Sequence, residues 1–373
     1  MNRRHTLLAG IGAAMAVGSR IDAAPDEGGG GAPATAPRMP TGPADGYPEG
    51  RYPDVRRMGQ FNWLQISSFT VVPEDLLVSR RYCGFRHVDT WLDAFLVGES
   101  GTYYNFAYDV RSQPDNSISV GVDFGPQKSS PSGLVSDTRS QRWRGKITQT
   151  LTPDGRIVYA APESPTPEEI SFDSSSVTWT RANGDLKLQG SLAGRGSQWH
   201  NVWRKPDGNM GGMYMCHQWF LAEGRYFGEV VKGYVLLETF WSDEHYQDTW
   251  WVRNRVGLWG AFAINYEDGS SEIGQIHCGE FGARGAVIVD NEGREVVSTT
   301  NVNAFDDSEL NAHVEFGDGQ RLDFEGDRVR SMIFPQGRLL FGKYKRVGEK
   351  RKVRNACGAY LVAHHVAAPR PFR

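Results

Sequence analysis

The chain has 373 residues and a formal net charge of -3. That length buries a large core without disulfide staples, and the charge balance excludes a broad basic surface for nucleic acid. Eleven tryptophans supply apolar area with a polar handle, which suits a pocket for an apolar ligand and suits a β core equally well.

Read in order, the chain opens on an export signal. Arg3-Arg4 is a twin arginine, and the apolar run Leu7 to Gly18 and small residues follow it. Residues 1–24 therefore predict a twin-arginine-type signal, with cleavage after Gly18 or near Ala24. The run is too short to span a bilayer. The expected destination of the folded chain is a bacterial periplasm. Residues 25–56 are dominated by Gly, Pro and Ala, cannot bury enough apolar surface to order themselves, and read as a disordered linker.

From Phe61 onward, short runs rich in Val, Ile, Tyr, Phe and Trp alternate with turn signals. Asp154-Gly155, Asn183-Gly184, Asp207-Gly208, Asp268-Gly269 and Asp318-Gly319 are hairpin turns by composition, and Glu292-Gly293 is a weaker one. Clean alternation in Leu186–Gly190 and Arg321–Phe324 predicts one wet and one buried face. Only Pro73–Leu77 and Pro165–Glu169 suggest short helices. The fold class is all-β, with too many strands for one small barrel. A break near Trp203–Gly212 predicts two β-domains, residues 57–205 and 206–373. Many antiparallel strands close into barrels or sandwiches, and a barrel of about eight strands can hold one small ligand.

Four cysteines, Cys83, Cys216, Cys278 and Cys357, permit disulfides in an exported chain and serve equally as buried thiols. Without C-x-x-C spacing they give little support to a zinc site. No metal and no organic cofactor is expected. G-x-S-x-G, Walker and Rossmann fingerprints are missing, so hydrolase, NTPase and dinucleotide readings lack support.

The segment Met213–Arg255 concentrates the candidate chemistry. It carries His217-x-Trp219 and then Tyr246-x-Asp248, followed by Trp250 and Trp251. On strands, residues i and i+2 share a face. An imidazole, an indole, a phenol and a carboxyl can thus line one surface. His277-Cys278 is a strand dipeptide, one adjacent pair that does not make a metal site, and His364-His365 read as surface; Glu238, Asp243 and Glu244 could supply a second carboxylate but read more readily as solvated charges. The basic run Lys343–Arg354 reads as a hairpin with a charged outer face that an anionic membrane surface would attract.

His217-x-Trp219 followed by Tyr246-x-Asp248 in a two-part all-β chain resembles the carotenoid 1,2-hydratase (hydroxyneurosporene synthase) family and its tandem-lipocalin relatives. Gln247 departs from the Tyr-His-Asp run usual there. Trp259–Gly269 and Gly358–Val362 are similar to that family's second barrel, so the likeness covers residues 200–362 and is only architectural before them. It implies two lipocalin-like antiparallel β-barrels in tandem, a hydrophobic ligand and acid-catalysed protonation of an isolated C=C bond. Asp248 would be the general acid, desolvated by Tyr246, Trp250 and Trp251. Tyr246 would orient it, His217 would position water, and Trp219 would face the developing cation. The structural alternative for Asp248 is a turn cap or a pair with Arg253 or Arg255. Two functions follow from the same residues. One is a cofactor-independent hydratase, isomerase or cyclase acting on an unsaturated lipophile. The other is a non-catalytic periplasmic binder of such a ligand.

Overall fold

The computed structural model describes residues 61–67, 73–82, 85–112, 118–130, 133–136, 144–193, 196–204, 210–242, 258–278, 284–327, 332–334 and 337–363. Among these the chain is all-β apart from a 3-10 turn at Pro73–Leu76. The Pro165–Glu169 stretch is no helix: it is a bend running into the strand Glu168–Phe172, whose ladders to neighbouring strands on both sides win over the proline start signal.

Fifteen strands build the first sheet. They are β1 (Phe61–Ser67), β2 (Arg81–Tyr82), β3 (Phe85–Gly98), β4 (Tyr103–Ser112), β5 (Ile118–Ser130), β6 (Gly133–Ser136), β7 (Arg144–Gly145), β8 (Thr148–Leu151), β9 (Ile157–Ala161), β10 (Glu168–Phe172), β11 (Ser176–Arg181), β12 (Leu186–Leu192), β13 (Gly196–Arg204), β14 (Met210–Tyr226) and β15 (Glu229–Ser242). The main path runs β6-β5-β4-β3-β15-β14-β12-β11-β10-β9-β8, and β13 ladders onto β14. The second sheet holds β16 (Leu258–Tyr266), β17 (Ser271–Cys278), β18 (Arg284–Asp290), β19 (Glu295–Thr299), β20 (Val302–Asp306), β21 (Asn311–Phe316), β22 (Arg321–Gly326), β23 (Met332–Phe334), β24 (Gly337–Arg346) and β25 (Val353–Ala363). Its order is β19-β18-β17-β16-β25-β24-β22-β21-β20. All pairings are antiparallel. The first sheet forms a nearly closed barrel and the second a half-barrel, consistent with tandem lipocalin-like barrels.

The change of sheet falls between Ser242 and Leu258, not near residue 205. Strands β14 and β15 are long, and their ladders to β12, β13 and β3 hold them in the first sheet. The Asx-Gly turns at Gly155, Gly184, Gly269 and Gly319 take positive φ, as does Gly293. Asp207-Gly208 lies outside the described residues, as do the export signal, the linker and His364-His365.

Three cores result. One fills the first barrel, with Trp179, Phe106, Tyr226 and Trp241 among its members. A second, around Phe262, Phe324, Tyr344 and Tyr360, fills the second. The third lies between the sheets, where Trp219, Leu236, Phe95 and Tyr234 pack on Ala261, Ala263, Ile273, Val287 and Val289. Strands that serve both an interior and this seam are buried on both faces. Every residue of β17 is buried, although Ser-Glu-Ile-Gly-Gln-Ile-His-Cys would read as half-wet. Cys216, Cys278 and Cys357 are buried and form no disulfide among the described residues, and Cys83 lies outside them.

The basic run does form a hairpin, from β24 to β25. Lys343 and Lys345 are exposed. Arg346 and Arg351 instead turn onto the buried Glu272 carboxylate and onto Glu349, and Arg351 lies 3.8 Å over the Tyr266 ring. Part of the run's charge is thus spent inside the protein.

Inside the first barrel His87 accepts or donates 2.5 Å from Ser112 Oγ through Nδ1 and 2.8 Å from Thr90 Oγ1 through Nε2. Burial lowers its pKa from 6.5 to about 3, so the folded ring is neutral where an unfolded one takes a proton. Below pH 6.5 the unfolded state binds more protons, and stability falls with acid until about pH 3. The slope contributed is up to about 1.4 kcal/mol per pH unit. His87→Asn is expected to flatten that acid limb in urea titrations. A limb parallel to wild type would show that His87 is not the group titrating.

Candidate active site in the seam between the sheets

Two hairpin turns set the register of the site. Strands β14 and β15 join through Phe227 and Gly228, both at positive φ, as a type I′ turn needs. Tyr226 then pairs with Glu229, and nine residues out along both strands His217 stands opposite Glu238. In the second sheet the Asp268-Gly269 turn is held by Asp268 Oδ1, which accepts from the Ser270 amide at 2.9 Å. Asn265 pairs with Ser271, and six residues out Trp259 stands opposite His277.

Directly opposed residues on neighbouring strands share a face. The first-sheet row is therefore Ser197, His217, Glu238, Trp91 and Asp109. The adjacent row on that face contains Trp219, Leu236, Asp93 and Ala107. Trp219 and Leu236 belong to the seam core, so this face looks at the second sheet. His277 and Trp259 meet it from the other side.

The meeting point is the Glu238 carboxylate. His217 Nε2 lies 3.4 Å and His277 Nε2 3.7 Å from its Oε2. Trp259 Nε1 donates to the same oxygen at 3.2 Å. His217 Nδ1 is hydrogen-bonded to Ser197 Oγ at 2.9 Å, which fixes the ring and aims Nε2 at Glu238. The two imidazoles are stacked with centroids 5.8 Å apart. Trp219 flanks His217 and Phe240 flanks His277. His217 and His277 are each 2% exposed, and Glu238 is 1% exposed. At such burial, charges act with little solvent screening.

Asp93, in the next row, is 5% exposed, and its Oδ2 has no hydrogen-bond partner among the described residues. Burial, then the nearby charges of Glu238 and Asp109, push its carboxyl well above the ordinary carboxylate range. Asp109 itself is paired with Arg111. The face thus sets a carboxyl whose pKa burial raises beside a second buried carboxyl flanked by two imidazoles. Pairs of titratable groups with opposed settings are what acid–base chemistry uses.

Of the residues singled out in the sequence, His217 and Trp219 share one buried face as expected. Tyr246, Asp248, Trp250 and Trp251 lie outside the described residues, as do Asp243, Glu244, Arg253 and Arg255. Glu238 is not a solvated charge: the second sheet covers it. His277 does have companions, supplied by other strands rather than by its neighbours in sequence. Asp93 and Asp109 went unread, although carboxyls at same-face positions of Phe/Leu/Val-rich strands are a legible sign of a buried polar face.

No family model and no curated protein matches the chain. Among solved structures, a provisionally named AttH of Nitrosomonas europaea is similar at 13% identity and a TM-score of 0.39, over 75% of this chain and 94% of that one. Kievitone hydratase of Nectria haematococca is similar at 6% identity and a TM-score of 0.37, over 74% of this chain and 89% of that one. Likeness of that degree carries no argument about activity, which rests on the seam itself.

Proposed function

We propose that this chain is an enzyme that protonates an isolated C=C bond of a hydrophobic, terpenoid-like small molecule in the seam between its two sheets, and that water then captures the cation. The observation that carries the reading is the convergence, in the aromatic-walled seam, of buried Glu238 and His217 of one sheet with His277 of the other, beside buried Asp93. Asp93 gives its proton to one alkene carbon, leaving a tertiary cation on the other. Water attacks that carbon as Glu238, relayed by His217, takes its proton. The proton returns to Asp93, so the sum is alkene plus water giving an alcohol. Loss of a proton in place of capture by water gives isomerisation, and internal capture gives cyclisation. Trp219 stabilises the cation through its ring face. Asp248, which the sequence sets beside Tyr246, Trp250 and Trp251, is the second carboxyl for the donor role. Export to a periplasm, on the strength of Arg3-Arg4 and the run after it, belongs to the same reading.

The test is incubation of the protein with a panel of unsaturated lipophiles in water labelled with heavy oxygen and deuterium. The expected product carries one label of each kind on adjacent carbons, and Glu238→Gln forms none. Asp93→Asn and Asp248→Asn, compared side by side, assign the donor. No product from any member of the panel would leave the second reading, a lipophile binder. That reading is favoured by a cleft of about 820 Å³ lined by Val97, Val177, Leu221, Tyr234 and Tyr266 among hydroxyl and amide side chains and the charged Glu223, Lys232 and Arg354.

A further inference from the structure

We infer that His217, Glu238 and His277 form a binding site for one first-row divalent transition-metal cation that clips the two sheets together. The three side chains offer two imidazole nitrogens and one carboxylate oxygen, all lying within 4.8 Å of one another. Bonds from such a cation to nitrogen or oxygen are about 2.0–2.2 Å, so neighbouring donors in its shell stand about 3.0–3.6 Å apart. The observed separations from Glu238 Oε2 to the two Nε2 atoms, 3.4 and 3.7 Å, are close to that edge. A small approach of the two stacked rings completes the triangle.

The surroundings are those of a built site. Ser197 Oγ sits on His217 Nδ1. When it accepts from that nitrogen it fixes the tautomer that leaves Nε2 a lone pair, which is the common arrangement behind a metal-bound imidazole. Trp259 Nε1 donates to the same carboxylate oxygen, and Trp219 and Phe240 wall the rings. Two imidazoles with one carboxylate suit zinc, iron, cobalt or nickel and not calcium or magnesium, which favour all-oxygen shells. The ligands come from β14, β15 and β17. They are far apart in sequence, so no local spacing rule finds them. Two ligands belong to the first sheet and one to the second, so an occupied site ties the sheets directly. A bound cation would occupy the Glu238 oxygen and the His217 nitrogen that the reaction proposed above uses as base and relay, so the cation-bound and proton-relaying states exclude one another; cation binding has its own readout.

The experiment uses the full chain without a polyhistidine tag, stripped with a chelator and titrated with Co²⁺. One equivalent is expected to bind, with visible d–d absorption that Zn²⁺ abolishes by displacement, and with a rise in Tm. Ca²⁺ and Mg²⁺ should do neither. Glu238→Gln and His277→Ala are expected to weaken Co²⁺ by about a hundredfold or more, and the gentler Ser197→Ala by about ten- to a hundredfold. His313→Ala, at a solvent-facing histidine paired with Asp307, should bind as wild type does. Should the ligand variants fail to fold, Ser197→Ala with the Tm shift still decides. Failure of folded wild type to take up stoichiometric Co²⁺, or uptake undiminished in His277→Ala or Ser197→Ala, overturns the site.

Discussion

Asp93→Asn should abolish turnover and make the protein more stable at the same time. In the first respect it removes the proton donor, and loss of a positioned general acid costs on the order of 10²–10⁴-fold in rate. In the second it removes a group whose folded state is costly. Asp93 faces Glu238 and Asp109, with Arg111 paired to Asp109 and with His217 and His277 across Glu238. Burial first and the two carboxylates second hold its proton on when the unfolded chain would lose it. Between the unfolded value of 3.8 and the raised folded value, the native state binds more protons than the unfolded state. Stability therefore falls as pH rises through that window, by up to about 1.4 kcal/mol per pH unit, and is fully present only below it. Asparagine does not titrate and lacks this slope. Wild type and variant should converge in urea midpoint near the unfolded value of 3.8 and diverge as the pH rises above it, with the variant the more stable. A catalytic carboxyl held against its own stability is the trade-off expected at a working site. Equal pH dependence in the two proteins would show that Asp93 is ionised in the fold and cannot be the donor. A stabilised variant that retains turnover would pass the role to Asp248.

What the sequence made legible was local. Asx-Gly turns depend on two residues and on φ > 0, so Gly155, Gly184, Gly269 and Gly319 were readable without knowing any partner strand. His217-x-Trp219 was readable because the period of a strand puts i and i+2 on one face whatever that face meets. What the face meets was not readable. An alternation of polar and apolar residues looks the same whether the polar side looks at water or at a second sheet. For that reason Glu238 in β15 read as a solvated charge and His277 in β17 as one half of a strand dipeptide without companions, and Glu272 and Gln275 look no different. The assignment of β14 and β15 to the first sheet also depends on ladders to strands far away in sequence, β3 above all, and no break in composition marks it. The pairing of Glu238 with His217 follows from a turn at Phe227-Gly228 in which a phenylalanine takes a left-handed φ of 47°, a choice propensity disfavours.

Trp219 separates packing from chemistry more cleanly than any other residue of the seam. Its side chain is fully buried among Leu236, Phe95 and Tyr234 on one sheet and Ala261, Ala263 and Ile273 on the other. Trp219→Ala leaves a cavity at the point where the sheets dock, and such truncations cost about 3–5 kcal/mol. Because the lost contacts bridge two sheets that each keep their own core, the variant is expected to lose two-state behaviour and to show separate transitions by tryptophan fluorescence and far-UV circular dichroism. Trp219→Phe keeps most of the buried ring. The indole Nε1 has no hydrogen-bond partner among the described residues, so removing it forfeits no bond there, and the expected cost is about 1–2 kcal/mol with cooperativity retained. Turnover is where the two roles part. A tryptophan face attracts a cation more strongly than a phenylalanine face does, and for a desolvated cation the attraction is worth up to about 2 kcal/mol. Losing much of it slows a step through a carbocation by about tenfold, since about 1.4 kcal/mol is a factor of ten. Trp219→Phe should therefore be well folded and about tenfold slower in kcat. Wild-type kcat in that variant would reduce Trp219 to a packing residue, and the carbocation would then need another aromatic neighbour. A variant slowed and destabilised in equal measure would place the loss in the docking of the sheets and not in the transition state.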